Sequence, residues 1–244
     1  MNTITSTTKV RDVALELPQS TRLFEKFKID YCCGGDQPLD AACASAGIDV
    51  QNLLELIHQV TQTSAVGNGT PDLQKGTMTE LIGYILDKHH VFTKEEMARL
   101  EPLAEKVVGA HGANHAELLT IRDLMRQLFD DLRPHMFKEE QILFPFIIAL
   151  ENAREQNRSA PFAPFGTVNN PIRMMLAEHD TAGDLLREMR ELSSDYAVPA
   201  DACISFKTFY EALAAFEQDL HRHIHLENNL LFPKAIKLEA MLAN

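Results

Sequence analysis

The sequence predicts an all-α protein: an up-down-up-down four-helix bundle preceded by a small helical domain. Three observations predict it. Four long stretches of the 244-residue chain repeat their apolar residues at helical spacing. No stretch alternates apolar and polar residues as a half-buried strand would. Two of the long stretches also carry one eleven-residue pattern, H-x-x-x-E-x-x-[IL]-L-F-P, 88 residues apart.

The elements follow in order. Residues 10–17, 18–27, 36–46 and 50–60 show short helical patterns. Between the second and third, Asp30-Tyr-Cys-Cys-Gly-Gly35 is a turn by its glycines, and Asp36 is placed as the N-cap of the third, with Pro38 in its first turn. Thr63-Ser-Ala-Val-Gly-Asn-Gly-Thr-Pro71 is poor in apolar residues and rich in breakers, so residues 64–76 are expected to link a domain at 1–63 to one at 77–244. The second domain holds long helices at about 77–108, 114–151, 168–194 and 200–240. The first and third connections are short, the second is longer and carries Ala160-Pro-Phe-Ala-Pro-Phe-Gly-Thr167, which cannot be helix throughout, and together they make an up-down-up-down bundle. Pro134 and Pro145 should kink the second of these helices, and Pro233 the fourth.

The repeated pattern reads His135-Met-Phe-Lys-Glu139-Glu-Gln-Ile-Leu-Phe-Pro145 and His223-Ile-His-Leu-Glu227-Asn-Asn-Leu-Leu-Phe-Pro233. A histidine and a glutamate four apart share one helical face. Here that face is the apolar one: Leu128, Leu132, His135, Glu139, Ile142 and Phe146 form one stripe, and Leu213, Phe216, Leu220, His223, Glu227 and Leu230 the other. A carboxylate among core leucines costs several kcal/mol unless a positive group meets it. One such pair on a helix is usually a solvated ion pair. Two matched over eleven positions, each preceded by a helix with its own histidine, point to a dinuclear metal site.

The expected ligands are His135, Glu139, His179, His223 and Glu227, with either His89 or His90 from the first helix. Chain spacing favours His90, 45 residues before His135 as His179 is 44 before His223; the helical phase of Ile82, Ile85 and Leu86 favours His89. Four imidazoles and two carboxylates suit iron or manganese, and they are too many, with no sulfur, for structural zinc. His221 and His225 point away from the stripe and are expected at the surface. Asp131 and Glu178 are placed either to orient an imidazole and relay protons or to lie solvated. His111 is a supporting group or a turn residue. Cys32 and Cys33 are candidate reactive thiols: vicinal Cα atoms about 3.8 Å apart strain a disulfide, and a helix N-terminus lowers a thiol pKa. Cys43 and Cys203 read as core.

Together these residues resemble the iron–sulfur cluster repair di-iron proteins, the Ric family of ScdA/YtfE type. Asp30-Tyr-Cys-Cys-Gly-Gly35 is similar to the signature of that family's amino-terminal domain, and the two repeated motifs with Glu178-His-Asp180 to its haemerythrin-like bundle. The resemblance carries the first ligand to His90 and matches His111 to a histidine ahead of the second helix; it departs at His225, where a small polar residue is common. It implies two non-haem iron ions, oxo- or hydroxo-bridged and also bridged by Glu139 and Glu227. It implies protection against nitrosative and oxidative stress through repair of damaged iron–sulfur proteins, by iron donation or by reduction of nitric oxide to nitrous oxide. The alternative is a haemerythrin-like sensor that binds dioxygen or iron without turnover, for which the Cys-Cys domain has no use. A homodimer through that domain is a further expectation.

Composition agrees with a globular protein: 45% hydrophobic and 24% charged residues allow a sizeable core. A net charge of −12 argues against nucleic-acid or anionic-membrane partners. The polar amino terminus and four cysteines, two of them adjacent, lead to a cytoplasmic expectation.

Overall fold

The computed structural model describes residues 4–63 and 73–243, so the expected linker lies largely outside the described residues. Eight helices and no strand occur among them. The first four are α1 (Val10–Glu16), α2 (Thr21–Phe27), α3 (Leu39–Ala46) and α4 (Val50–Thr63). They close on a small apolar core that includes Val10, Val13, Phe24, Leu39, Leu53 and Ile57. Asp36 is not the cap of α3. Pro38 holds that position, and Asp36 instead pairs with Lys9 at 2.6 Å and Arg11 at 2.8 Å, tying the Cys-Cys turn to α1. A side chain at Gly35 would meet the Tyr31 carbonyl and Arg11 at 2.8 Å, so only glycine closes this turn.

The bundle comprises α5 (residues 78–111), α6 (117–155), α7 (Asn169–Leu192) and α8 (204–242). α5 packs on α6 and α8, and α6 packs on α7. Two glutamates 88 residues apart cap the first helix of each hairpin. Glu151 accepts from the backbone N–H of Met78 and of Thr79, each at 2.8 Å, and Glu239 accepts from the Val168 N–H at 2.9 Å. The duplication read from the motifs thus extends to the helix starts.

Three bundle helices each contain one π turn: Ile85–His90 in α5, Glu139–Leu143 in α6 and Glu227–Leu231 in α8. The last two have the same cause. Pro145 and Pro233 have no N–H to give and a ring that collides with the carbonyl four residues back, and a wider turn just ahead relieves the collision. Pro134 lies within the regular helix Glu117–Lys138 and has no such turn.

Each π turn adds one residue to the helix and shifts the phase of everything after it. Two expectations change for that reason. Ile142 leaves the apolar stripe and is exposed, while Leu143 takes the core position. In α5 the face begun by Ile82 and Ile85 arrives at residue 90 rather than 89.

The bundle core is divided into two apolar layers. One contains Leu100, Leu128, Phe129, Leu186, Phe209 and Phe216; the other contains Ile85, Phe144, Ile147, Ile172, Leu231 and Phe232. Between them lies a layer of buried polar side chains.

Candidate metal centre

That polar layer consists of His90, His135, Glu139, His179, His223 and Glu227, none more than 3% exposed. Their inward-facing atoms fall into two groups, each with its atoms within 4.8 Å of one another: His90, Glu139, His223 and Glu227, and His135, Glu139, His179 and Glu227. Both groups use both glutamates. Glu139 places Oε2 3.4 Å from His90 Nε2 and Oε1 3.3 Å from His135 Nε2. Glu227 places Oε1 3.0 Å from His223 Nε2 and Oε2 3.2 Å from His179 Nε2. Within each group the two imidazoles approach at 3.2 Å between Nε2 atoms. Each group takes one histidine from each hairpin.

The groups behind the imidazoles decide which ring nitrogen faces inward. His90 Nδ1 lies 2.7 Å from Glu140, His135 Nδ1 2.7 Å from Glu178, and His179 Nδ1 2.7 Å from the Asn228 carbonyl oxygen. Those oxygens accept, so each Nδ1 carries the proton and each Nε2 turns a lone pair to the centre. Both oxygens of Glu139 and Oε2 of Glu227 have no hydrogen-bond partner among the described residues. Four imidazole nitrogens and four carboxylate oxygens thus converge, fully buried, with no lysine or arginine among them. Nitrogens 3.2 Å apart sit at the edge of a coordination shell with bonds of about 2.1 Å. The donor set fits two shared cations, and its nitrogen and oxygen atoms suit iron or manganese.

Electrostatics lead the same way. Burial and the facing Glu227 push the Glu139 carboxyl up, but His135 and His90 outweigh them and hold it below its usual range. Burial also raises Glu227, and His223 and His179 overcome it. Burial disfavours the charged form of His135, yet Glu139 in front and Glu178 behind lift its pKa to about 10. Without metal, protons on imidazole therefore supply the positive charge the glutamates need. A small cavity of about 10 Å³ adjoins the centre, touched by His135, His179 and His223 and walled by Leu128, Leu132, Ala182, Leu220 and Ile224. Asp131 and Glu178 complete it. Glu178 thus lies behind a candidate ligand, as one of its two readings had it.

Other sequence readings come out differently. His89 is buried too, but it turns to Asp219 at 3.0 Å and stacks flat on His223. His225 is buried rather than at the surface, and His221 is mostly covered, because the amino-terminal domain lies over both. His225 Nδ1 is 3.1 Å from the Tyr31 carbonyl, and His221 Nδ1 is 2.9 Å from Glu25 of α2. His111 lies away from the centre, beside Phe206 and His115. Cys43 is buried, but Cys203 is exposed, ahead of α8 as its cap residue.

The Cys-Cys turn rests on the π turn of α8. Asp30 Oδ1 accepts from the N–H groups of Cys32 (3.0 Å) and Cys33 (2.9 Å), and Asn228 and Asn229 donate to the Cys32 carbonyl, each at 3.3 Å. Cys32 is buried, and its thiol is not activated as the helix-terminus argument expected. A hydrogen bond with Cys33, followed by burial, raises its pKa well above normal, and α3 begins only at Leu39, six residues after Cys33. A cleft of about 550 Å³ opens beside the turn, lined by Cys32, Cys33, Arg187 and Arg190 among others.

Sequence reasoning missed Glu140 and Asn228. Their signal was available: each follows its motif glutamate by one residue, on the side turned to the neighbouring helix.

Comparison with known proteins agrees with this architecture. Residues 81–235 match the family described as "Hemerythrin HHE cation binding domain", and residues 6–61 match one described as "Domain of Unknown function (DUF542)". The chain is 32% identical to the iron-sulfur cluster repair protein ScdA of Staphylococcus haemolyticus over 95% of its length and 99% of that protein's. It is 33% identical to a probable iron-sulfur cluster repair protein of Haemophilus influenzae, covering 93% and 96%. It is 34% identical to the iron-sulfur cluster repair protein YtfE of Yersinia pseudotuberculosis, again covering 93% and 96%.

Proposed function

The chain belongs to the haemerythrin-like iron–sulfur cluster repair family, and from that premise we propose that it is a cytoplasmic di-iron protein. It repairs iron–sulfur proteins damaged by nitrosative or oxidative stress, and its centre reduces nitric oxide to nitrous oxide. Its domains are residues 1–63 and 77–244. The observation that carries the reading is the pair of four-residue groups sharing both glutamates.

In the reading, His90 and His223 with Glu139 and Glu227 would hold one iron, and His135 and His179 with the same two glutamates would hold the other. When bound, ferrous iron would supply the two electrons that two nitric oxide molecules need, with two protons, to become nitrous oxide and water. The chain's residues do the rest. Leu128, Leu132, Ala182, Leu220 and Ile224 keep bulk water from the cavity beside His135, His179 and His223. Glu178, about one-third exposed and hydrogen-bonded to His135, can pass protons inward from solvent.

A second reading, donation of iron as cargo to a damaged cluster, is favoured by the donor set. Four neutral imidazoles and two carboxylates hold iron less tightly than an all-carboxylate cage. No described helix is long and apolar enough to cross a membrane.

The test is anaerobic addition of nitric oxide to the reduced, iron-loaded chain with an external reductant, measuring nitrous oxide and iron content. Two irons per chain and repeated nitrous oxide turnover are expected. Glu139→Leu should abolish both, because it removes an oxygen from each group. Restoration of a damaged cluster without nitrous oxide would leave the donor reading, and stoichiometric zinc without iron after anaerobic purification would sink both.

A further inference from the structure

The two halves of the centre are related by the internal duplication, so their supporting residues can be compared position by position. One residue after each shared glutamate stand Glu140 and Asn228, which hold the outer nitrogens of His90 and His179. One residue before each of those two histidines stand His89 and Glu178. Glu178 holds the outer nitrogen of His135 at 2.7 Å. His89 cannot do the same for His223. It stacks parallel to that ring, with centroids 5.6 Å apart and planes 10° apart, and gives its own Nδ1 to Asp219.

His223 Nδ1 is therefore the one outer nitrogen of the four with no partner among the described residues, although His223 is only 1% exposed. The Asn228 amide, in contrast, is committed at both ends, its carbonyl to His179 and its NH₂ to the Cys32 carbonyl. The remaining differences balance. Glu140 and Glu178 both hold an imidazole at 2.7 Å, and each is paired with a lysine, Lys94 and Lys138 respectively.

A hydrogen-bond acceptor behind a ligating imidazole fixes its plane and makes its inner nitrogen a better donor; removing such a partner costs roughly 10–100-fold in metal affinity. We infer that the two subsites hold metal unequally: His135/His179 is the retained subsite, and His90/His223 is the exchangeable one, from which the chain gives up an ion. The inference rests on the two-metal reading above and adds which ion leaves. It also makes Asn228 and Glu178 positioning residues for the retained ion, and ties the Asn228 link to the docked Cys-Cys turn.

The experiment is an anaerobic titration of the metal-free full chain with Fe²⁺ against a competing chelator, repeated with Co²⁺ so that each step has its own visible spectrum. Two steps are expected, separated by about tenfold or more. Glu178→Gln and Asn228→Ala should each weaken the tight step and leave the other. His223→Ala should remove the weak step and keep one tight ion, whereas His135→Ala should do the reverse. His89→Glu, which repeats at position 89 what stands at 178, should draw the two steps together. Uptake of both ions with equal affinity, or loss of the tight step in His223→Ala, would overturn the inference while leaving two metals per chain. Uptake of fewer than two ions by the wild type would instead defeat the di-iron reading. Should a histidine variant fail to fold by circular dichroism, the wild-type isotherm and the Glu178→Gln shift still decide the matter.

Discussion

Glu139 and Glu227 are the two side chains whose burial makes sense only in company. Each is fully buried and lies between two imidazoles from different helices. In the metal-free chain the compensating charge is protonic, and the pH dependence follows from His135. Its pKa rises from 6.5 to about 10, because Glu139 and Glu178 outweigh its burial. A raised folded-state pKa stabilises the protein fully below the unfolded value and ceases to do so as pH climbs through the folded one. The metal-free chain should therefore lose stability between about pH 6.5 and 10, read as a falling urea midpoint. Metal must displace the same proton, so Fe²⁺ affinity should rise over that window. An apo stability that is flat across it would show that His135 is not protonated against the glutamates.

At the scale of the element, the π turns decide which residues meet. A helix of uniform pitch leads from Ile82 and Ile85 to His89, and a stripe of uniform pitch contains Ile142. The insertion in each helix defeats its own inference, bringing His90 to the centre and Leu143 to the core. Deleting the exposed Gln141 removes the insertion of α6 and keeps the two halves of that helix in their observed phase. Deleting Gln127, equally exposed but in regular helix, rotates one half about 100° against the other. The first deletion should keep a cooperative thermal transition, and the second should abolish it; equal damage from both would argue against the insertion account. Five of the six side chains of the buried polar layer were legible because histidine and glutamate recur on an apolar face at duplicated spacing, while the pattern left His90 open against His89. The cause of the turns in α6 and α8 was legible too, in Pro145 and Pro233, but not their effect on phase. The turn in α5 has no such proline and left no sign. What lay wholly outside the sequence pattern was tertiary cover: His221 and His225 look like surface residues until another domain is set over them.

The whole molecule is joined across that cover by a buried ionic cluster. Arg190 of α7 lies 3.0 Å from Glu217 of α8 and 3.5 Å from Glu25 of α2, which also takes His221 and the Tyr31 hydroxyl. Glu217 is 2% exposed, and burial already raises its pKa despite Arg190. Arg190→Ala would strand that carboxylate and unfasten the two domains together. It should cost about 3–5 kcal/mol in denaturant unfolding, whereas Arg187→Ala, whose partner Asp184 is exposed, should stay within about 0.5 kcal/mol. Comparable losses from the two would show that the cluster does not fasten the domains.

The twin glutamate caps, Glu151 on the first hairpin and Glu239 on the second, show how evenly the two hairpins match at their helix starts. Two copies of one hairpin, assembled as separate chains, would have to present the same residue on either side of the twofold axis. Joined in a single chain they are released from that symmetry. Position 89 is histidine where 178 is glutamate, and 228 is asparagine where 140 is glutamate. Covalent fusion is thus what would permit the inferred division, with one half keeping its ion and the other letting go.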